Sequence, residues 1–467
     1  MRVVIIGAGL GGLSAACHLA GRGHEVVVVE KEDRAGGRVA ALEANGYRLD
    51  YGPAVLTHVG ILADVFAAAR AELTHHLELI RLDPMYRATF PAGDDILVRA
   101  DREAMTDEVA SKCGPADAAA FGRFRDWVSN RCRVDTPADV ARPLARPVRR
   151  LVRPLRMGEP ERWQRVVDGS FADPRLRQLF SFPAVYAGAN PFEALALHSL
   201  VEGVAFPKGG MSSVGPALAS AAEKAGVALL YERTVERIGR GPSGTGPADG
   251  VWLTSGERVA ADAVVCNADL PAAYETLLPG VDPPRASRRG GYSPSCILWV
   301  AGVRGTLPGG AAHHNLHFGS DGRQAFDAIV RRGTRMAEPL TLVTGASVSD
   351  SSLAPSGRST LYVLEPTPNL SGNIDWAACT DRVQADLVAR AGGLGYPVDV
   401  EMERCFAPAG WRHLGLHQGT PFGPLRPPGI ERRIPKLYFV GSSTLSGAAL
   451  PRVLLSGRWA ADRVEGR

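Results

Sequence analysis

Between a short apolar run, Val3–Ile6, and a Leu/Ala-rich run that starts at Leu10 stands Gly7-Ala-Gly9-Leu-Gly11-Gly12. Glycines at that spacing suit one task, which is to hold a diphosphate against the backbone. Gly7 permits the tight turn, Gly9 lets the chain close on a pyrophosphate, and Gly12 lets helix and strand pack closely. The helix that begins there turns free N–H groups and a positive dipole end towards the phosphates. Glu30 closes the next apolar run 18 residues after Gly12. A carboxylate there accepts hydrogen bonds from an adenosine ribose and disfavours a 2′-phosphate. Asp33-Arg-Ala-Gly36-Gly37-Arg38 follows at once, bringing a second backbone turn and a cation to the same place. The spacing therefore reads as a dinucleotide site centred on Gly7, Gly9, Gly12 and Glu30 with Gly37 and Arg38 brought beside it, Leu10, Gly11 and Lys31 being their immediate neighbours in the chain.

Candidates for proton chemistry are fewer. His313, His314 and His317 cluster, but HHxxH in a strand-like segment lacks the HExxH geometry and a matching carboxylate, so no metal is expected. His413 and His417 are spaced i, i+4 and are the weak candidates for removing a proton, a structural histidine being the simpler reading of each. Glu365 reads as a paired carboxylate at a strand end.

These residues need elements to position them. Val3–Ile6, a helix over Leu10–Arg22 and a strand over Glu25–Glu30 form a βαβ unit, the start of a doubly wound parallel sheet. Short strands are expected at Gly46–Asp50 and Leu97–Ala100. From about 100 to 200 the Ala/Arg/Leu/Pro texture predicts a helical insertion. A helix over Val214–Lys224 then leads into strands at Val227–Tyr231, Val235–Ile238, Val251–Thr254, Arg258–Ala260 and Asp262–Cys266, with GRGPSGTGPADG as a hairpin connection. Runs such as CILWVAGV, LTLVTGA and STLYVLEP predict a second sheet. Lys436–Val440, then glycine and serines, then a helix from about 451 make one more strand–glycine–helix step. The expected fold class is α/β, a doubly wound Rossmann-type domain (1–95, 200–290 and 405–467) with an inserted helical part (96–199) and an inserted mixed-sheet substrate domain (291–404).

Composition narrows the class. The 467 residues are 45% hydrophobic and 22% charged, with a net charge of +4, which excludes a disordered or fibrous chain and gives no electrostatic support for a nucleic-acid partner. Seven scattered cysteines without CxxC suit reduced thiols and a cytoplasmic location. No signal peptide or spanning segment is expected. Arg142 to Arg156 holds six arginines among Leu, Val and Pro. It could rest on an anionic bilayer at the inner face of the membrane, or be a solvated face of a helical domain.

The order GxGxxG, terminal Glu, then GGR resembles the FAD-binding flavoproteins of the amine oxidase and phytoene desaturase group. Gly46-Tyr-Arg-Leu-Asp50-Tyr-Gly52-Pro53-Ala54, Phe206-Pro-Lys-Gly-Gly-Met211, Asn267-Ala-Asp269, Tyr292-Ser-Pro-Ser295, Leu361-Tyr-Val-Leu-Glu-Pro366 and Leu437-Tyr-Phe-Val-Gly-Ser-Ser-Thr444 are similar to segments of bacterial phytoene desaturases along nearly the whole chain. The resemblance implies FAD as cofactor and removal of a hydride and a proton from a long apolar polyene to form a C=C bond. It also implies that Gly52, Pro53, Ala54, Gly441, Ser442, Pro451, Arg452 and Val453 line the ribityl and flavin end, with Val235 beside the adenine through its backbone. Three departures stand out: Thr444-Leu-Ser-Gly-Ala-Ala-Leu-Pro451 replaces THPGxGxP, the stretch between Phe422 and Ile434 is short, and Ala54 replaces Thr. They leave open a flavoenzyme that tailors a non-carotenoid polyene, such as a polyketide-derived macrolactam. A flavin-free prenyl-binding chaperone of the same fold is disfavoured by the intact nucleotide motif.

Overall fold

Val3, Val4 and Ile5 are fully buried and Ile6 nearly so, the pattern of a strand covered on both faces. In the computed structural model, which describes residues 1–131, 160–187, 202–242, 244–284, 291–320, 327–424, 433–444 and 449–466, this strand (Arg2–Ile6) is central in a five-stranded sheet. The order is Leu437–Phe439, Ala263–Cys266, Arg2–Ile6, Glu25–Val29, Ala228–Leu230, and every pairing is parallel. A three-stranded antiparallel sheet (Val235–Gly239, Gly250–Leu253, Arg258–Ala260) lies next to it in sequence, its first hairpin closed by the glycine-rich loop.

The second large sheet has seven strands, in the order Asp399–Phe406, Ser295–Arg304, Arg358–Thr367, Thr341–Thr344, His314–His317, Tyr86–Thr89, Asp95–Val98. Its two faces have different partners. Ile297, Trp299, Ala301, Val343, Leu361 and Val363 pack on the helix Trp376–Gly393 through Trp376, Val383 and Leu387. Leu298, Val300 and Leu364 on the opposite face pack with Tyr47 and Leu49 of the strand Tyr47–Asp50. That face therefore looks towards the nucleotide-binding part.

The hairpin Tyr86–Val98, expected with the nucleotide-binding part up to residue 95, instead extends the seven-stranded sheet, Asn315 pairing with Arg87 and His317 with Thr89 in parallel. A pairing partner more than 200 residues away leaves no local trace. The insertion is helical where described, over Arg102–Cys113, Pro115–Arg131, Pro160–Ser170 and Pro174–Ala187. Phe121 and Phe171 stack on Phe180, and Phe124 packs edge-on against Phe171. The arginine-rich stretch 142–156 lies outside the described residues. No described helix is long and apolar enough to cross a membrane.

Candidate functional site

The helix Leu10–Gly21 starts from Gly9 with no side-chain cap, so the N–H groups of its first turn are left for an outside acceptor. Gly7 has φ +94°, which only glycine adopts freely. A Cβ on Gly12 would collide with the Gly7 carbonyl oxygen. The Glu30 carboxylate is buried and holds the loop's shape: Oε2 accepts the Ala8 N–H at 2.6 Å and Oε1 that of Glu32 at 3.0 Å. Each oxygen keeps acceptor capacity for a ribose hydroxyl. Gly36 donates to the Ala8 carbonyl at 2.9 Å and forms a bridge with Gly9, which sets the two glycine turns side by side. Lys31 points to solvent beside Glu32. Val235 begins its strand just after Arg233, whose N–H donates to the Glu30 carbonyl, so it lies at the Glu30 end of the site.

The far end of the chain closes on this loop. The helix Leu450–Val464 crosses the opening helix at Gly457, where a Cβ would lie 2.5 Å from the Ala15 nitrogen and 2.7 Å from the Gly11 oxygen. Ser14 Oγ donates to the Leu454 carbonyl at 2.6 Å. Pro451, Arg452 and Val453 form the buried first turn of the crossing helix, which has no capping side chain at Ala449. Gly441 (φ +95°) turns the chain just after the last strand, Leu437–Phe439, and donates to Ser456 Oγ at 2.9 Å. Arg38 Nη2 donates to Ser442 Oγ at 2.5 Å. Burial pulls the Arg38 guanidinium below its usual range, and Asp269 acts in the other direction.

Two residues here were not picked out as site residues from the sequence. A Cβ on Gly9 would lie 2.6 Å from Asn267 Nδ2, and one on Gly11 2.6 Å from Asn267 Oδ1, so the Asn267 amide fills the space beside the glycine loop. Asp269 receives the His417 N–H at 3.2 Å and stands just before the helix Leu270–Thr276 without a side-chain hydrogen bond to it. The available signal was the polar Asn-Ala-Asp directly after the buried strand Ala263–Cys266, at the carboxyl end where ligands of such sheets bind.

Gly52 packs on the Arg38 carbonyl and receives the Tyr362 hydroxyl at 3.0 Å. It thereby ties the Gly52-Pro53-Ala54 segment to the seven-stranded sheet. A small cavity opens beside it, lined by Arg48, Asp50, Ala54, Met211, Thr344 and Tyr362 among others. Asp50 accepts the N–H groups of Met211 (2.6 Å) and Ser212 (3.1 Å), while burial raises its carboxyl above the usual range.

The histidines do not converge. His314 and His317, three apart on one strand, take opposite faces. His314 Nδ1 pairs with Thr344 Oγ1 at 2.8 Å, His317 Nε2 with Tyr396 Oη at 2.9 Å and His313 Nδ1 with Ser349 Oγ at 2.8 Å. Among the described residues no three His, Cys, Asp or Glu side chains are placed to hold a metal ion. His413 and His417 do not share a helical face either. The helix Pro408–His413 ends at His413, which is exposed, and Gly415 (φ +82°) turns the chain. His417 is half-buried against the Tyr292 ring at 4.8 Å. Glu365 is fully buried and paired with Arg335 at 3.0 Å and Arg390 at 3.8 Å.

Residues 10–465 match the model of the flavin containing amine oxidoreductases. The chain belongs to that family. It is 37% identical to a phytoene dehydrogenase of Streptomyces griseus, over 99% of this chain and 95% of that one. It is 35% identical to a zeta-carotene-forming phytoene desaturase of Myxococcus xanthus, over 99% and 93%. A solved oxidoreductase of Methanosarcina mazei shares the fold, with a TM-score of 0.65 at 18% identity over the whole of both chains.

As a flavin containing amine oxidoreductase the chain is an FAD-dependent oxidoreductase. Its residues fit that cofactor. The uncapped helix start at Gly9 suits the pyrophosphate, and Glu30 keeps acceptor capacity for a ribose. The glycine loop has no room for side chains, and a second uncapped helix start lies at Ala449.

Proposed function

We propose that the protein desaturates a long apolar polyene of the carotenoid type, forming a C=C bond from a CH–CH pair. Its two relatives above, named for phytoene, are over 30% identical across nearly their full lengths, and this observation carries the reading. FAD supplies the hydride acceptor when bound. On this reading Gly7, Gly9, Leu10, Gly11, Gly12, Glu30, Gly37 and Arg38 hold the ADP half, with Lys31 and Val235 at its rim. Gly52, Pro53, Ala54, Gly441, Ser442 and the turn Pro451–Val453 border the ring. On this reading the seven-stranded sheet, with the strand Tyr47–Asp50 packed on its inner face, belongs to the substrate-binding part that keeps water from the reacting carbons.

The enzyme would act in the cytoplasm at the inner membrane surface, where such a substrate resides, with the arginines of 142–156 on anionic headgroups. The test is product analysis after incubation with phytoene in liposomes. Products lighter by two hydrogens per step, with longer-wavelength absorption, support the reading. Unchanged phytoene, with turnover of a soluble macrolactam polyene, replaces it with the tailoring reaction.

A further inference from the structure

The inward face of the seven-stranded sheet carries two parallel rows of side chains. One is apolar: Ala88 pairs with Leu316, Leu316 with Leu342, Leu342 with Leu364 and Leu364 with Leu298. The row beside it carries hydrogen-bonding groups. Tyr86 stacks on His314 with centroids 5.3 Å apart, His314 pairs with Thr344, and Thr344 with Tyr362. His314 is 0% exposed, and its Nε2 is buried with no hydrogen-bond partner among the described residues. A buried polar atom left so costs about 1–3 kcal/mol, and its place in this row sets it beside an apolar wall.

We propose that His314 is the catalytic base of the desaturation, taking the substrate proton on Nε2 while Thr344 relays a proton from Nδ1 into the cavity beside Asp50. The inference rests on the desaturase reading. With FAD bound as the hydride acceptor, the allylic carbon that gives up the hydride with its electron pair would become electron-poor. The C–H pair on the neighbouring carbon becomes the new π bond, and its proton passes to Nε2. Nδ1–H then gives its proton to Thr344 Oγ1, 2.8 Å away, as the hydroxyl proton of Thr344 passes to solvent in the cavity that Thr344 and Asp50 both line; after the product leaves, loss of the Nε2 proton to solvent and return of one to Nδ1 through Thr344 restore the base.

Burial holds His314 well below the ordinary imidazole range, so the ring is neutral, and in the tautomer whose Nδ1–H donates to Thr344 the acceptor is Nε2. A C–H next to an electron-poor carbon is strongly acidic, and a weak base is sufficient for it. His313 also has an unpartnered Nε2, but its Nδ1 partner is Ser349, which does not line the cavity. Only His314 of the two therefore has an exit for the proton.

The test uses the holoenzyme with phytoene in liposomes, unlabelled or deuterated at the carbon that loses the proton. In His314→Gln the rate of polyene formation should fall by about 100-fold or more and a large deuterium effect should appear. Flavin content and polyene affinity should stay within about twofold of the parent, a split that a merely structural histidine would not produce. Thr344→Val should fall by about tenfold with the same isotope signature, and it decides the matter if His314→Gln does not fold. Unchanged rate and isotope effect in a folded His314→Gln or Thr344→Val overturns the proposal, as does the signature appearing in His313→Gln instead. A parent enzyme that binds phytoene but never forms product overturns the desaturase reading along with it.

Discussion

Arg38 and Ser442 meet through a 2.5 Å hydrogen bond across 404 positions of sequence. The second glycine turn is thereby joined to the last strand–glycine–helix step, and the two halves of the cofactor site become one surface. A hydrogen bond to a charged group contributes about 1.5–3 kcal/mol. Arg38→Met should therefore weaken FAD by about 10- to 100-fold, and Ser442→Ala by less. Flavin fluorescence titration of the apoprotein reads both. Unchanged affinity in Arg38→Met would remove the arginine from the site.

Gly9 and Asn267 make a non-additive pair. The Asn267 amide is the close obstacle to a Cβ on Gly9, the next atom outside that side chain being Gly37 Cα at 4.0 Å. Gly9→Ala should cost about 1–3 kcal/mol by overpacking. Adding Asn267→Ala should restore most of that stability without restoring FAD affinity, since the new methyl still faces the pyrophosphate. Thermal melting with flavin titration gives both readouts. Equal recovery of both would place the methyl away from the cofactor.

Glu365 depends on Arg335. Its carboxylate is fully buried, and burial raises it above the usual range while Arg335 offsets part of the rise. Removing the cation leaves a buried charge, a loss of about 3–5 kcal/mol, whereas Glu365→Leu with Arg335→Met should cost less. An acid raised in the folded state stabilises below its unfolded value and loses that contribution as pH rises through the folded one. Urea unfolding of Arg335→Met should show stability falling from about pH 4.5 upwards, more steeply than in the parent. A flat pH profile would contradict the burial.

Glu401 works in the opposite direction. It accepts from Tyr47, Arg304 and Arg358, which hold its carboxyl down at about 2. Its contribution is present above the unfolded value near 4.5 and is lost as pH falls towards 2. Glu401→Gln should flatten the acid limb of the melting profile over that window. An unchanged acid limb would mean that the cluster is open in solution.

What was legible in the sequence was local. Gly7 to Arg38 is contiguous, so glycine spacing, strand–helix alternation and the terminal Glu30 could be read together. The same holds for the step from Lys436 to the final helix. Asn267 and Asp269 stand in a recognisable motif, but the sequence does not show what they meet, because the parallel sheet brings Gly9, Gly11 and Arg38 alongside from more than 200 positions away. The hairpin at 86–98 gave no sign of which sheet it extends. The i, i+4 spacing of His413 and His417 does not reveal that the helix stops at His413 and that Gly415 turns the chain between them. His314 looked like one of three equivalent histidines until the strand separated it from His317 by face and gave it Thr344.

A desaturase of carotenoid-type polyenes must pass electrons from the polyene to the bound FAD. Anaerobic mixing of the holoenzyme with phytoene liposomes, without reductant, tests it directly through flavin absorbance near ~450 nm. That band should bleach while longer-wavelength polyene absorption grows. A band that stays oxidised while phytoene is bound would contradict it.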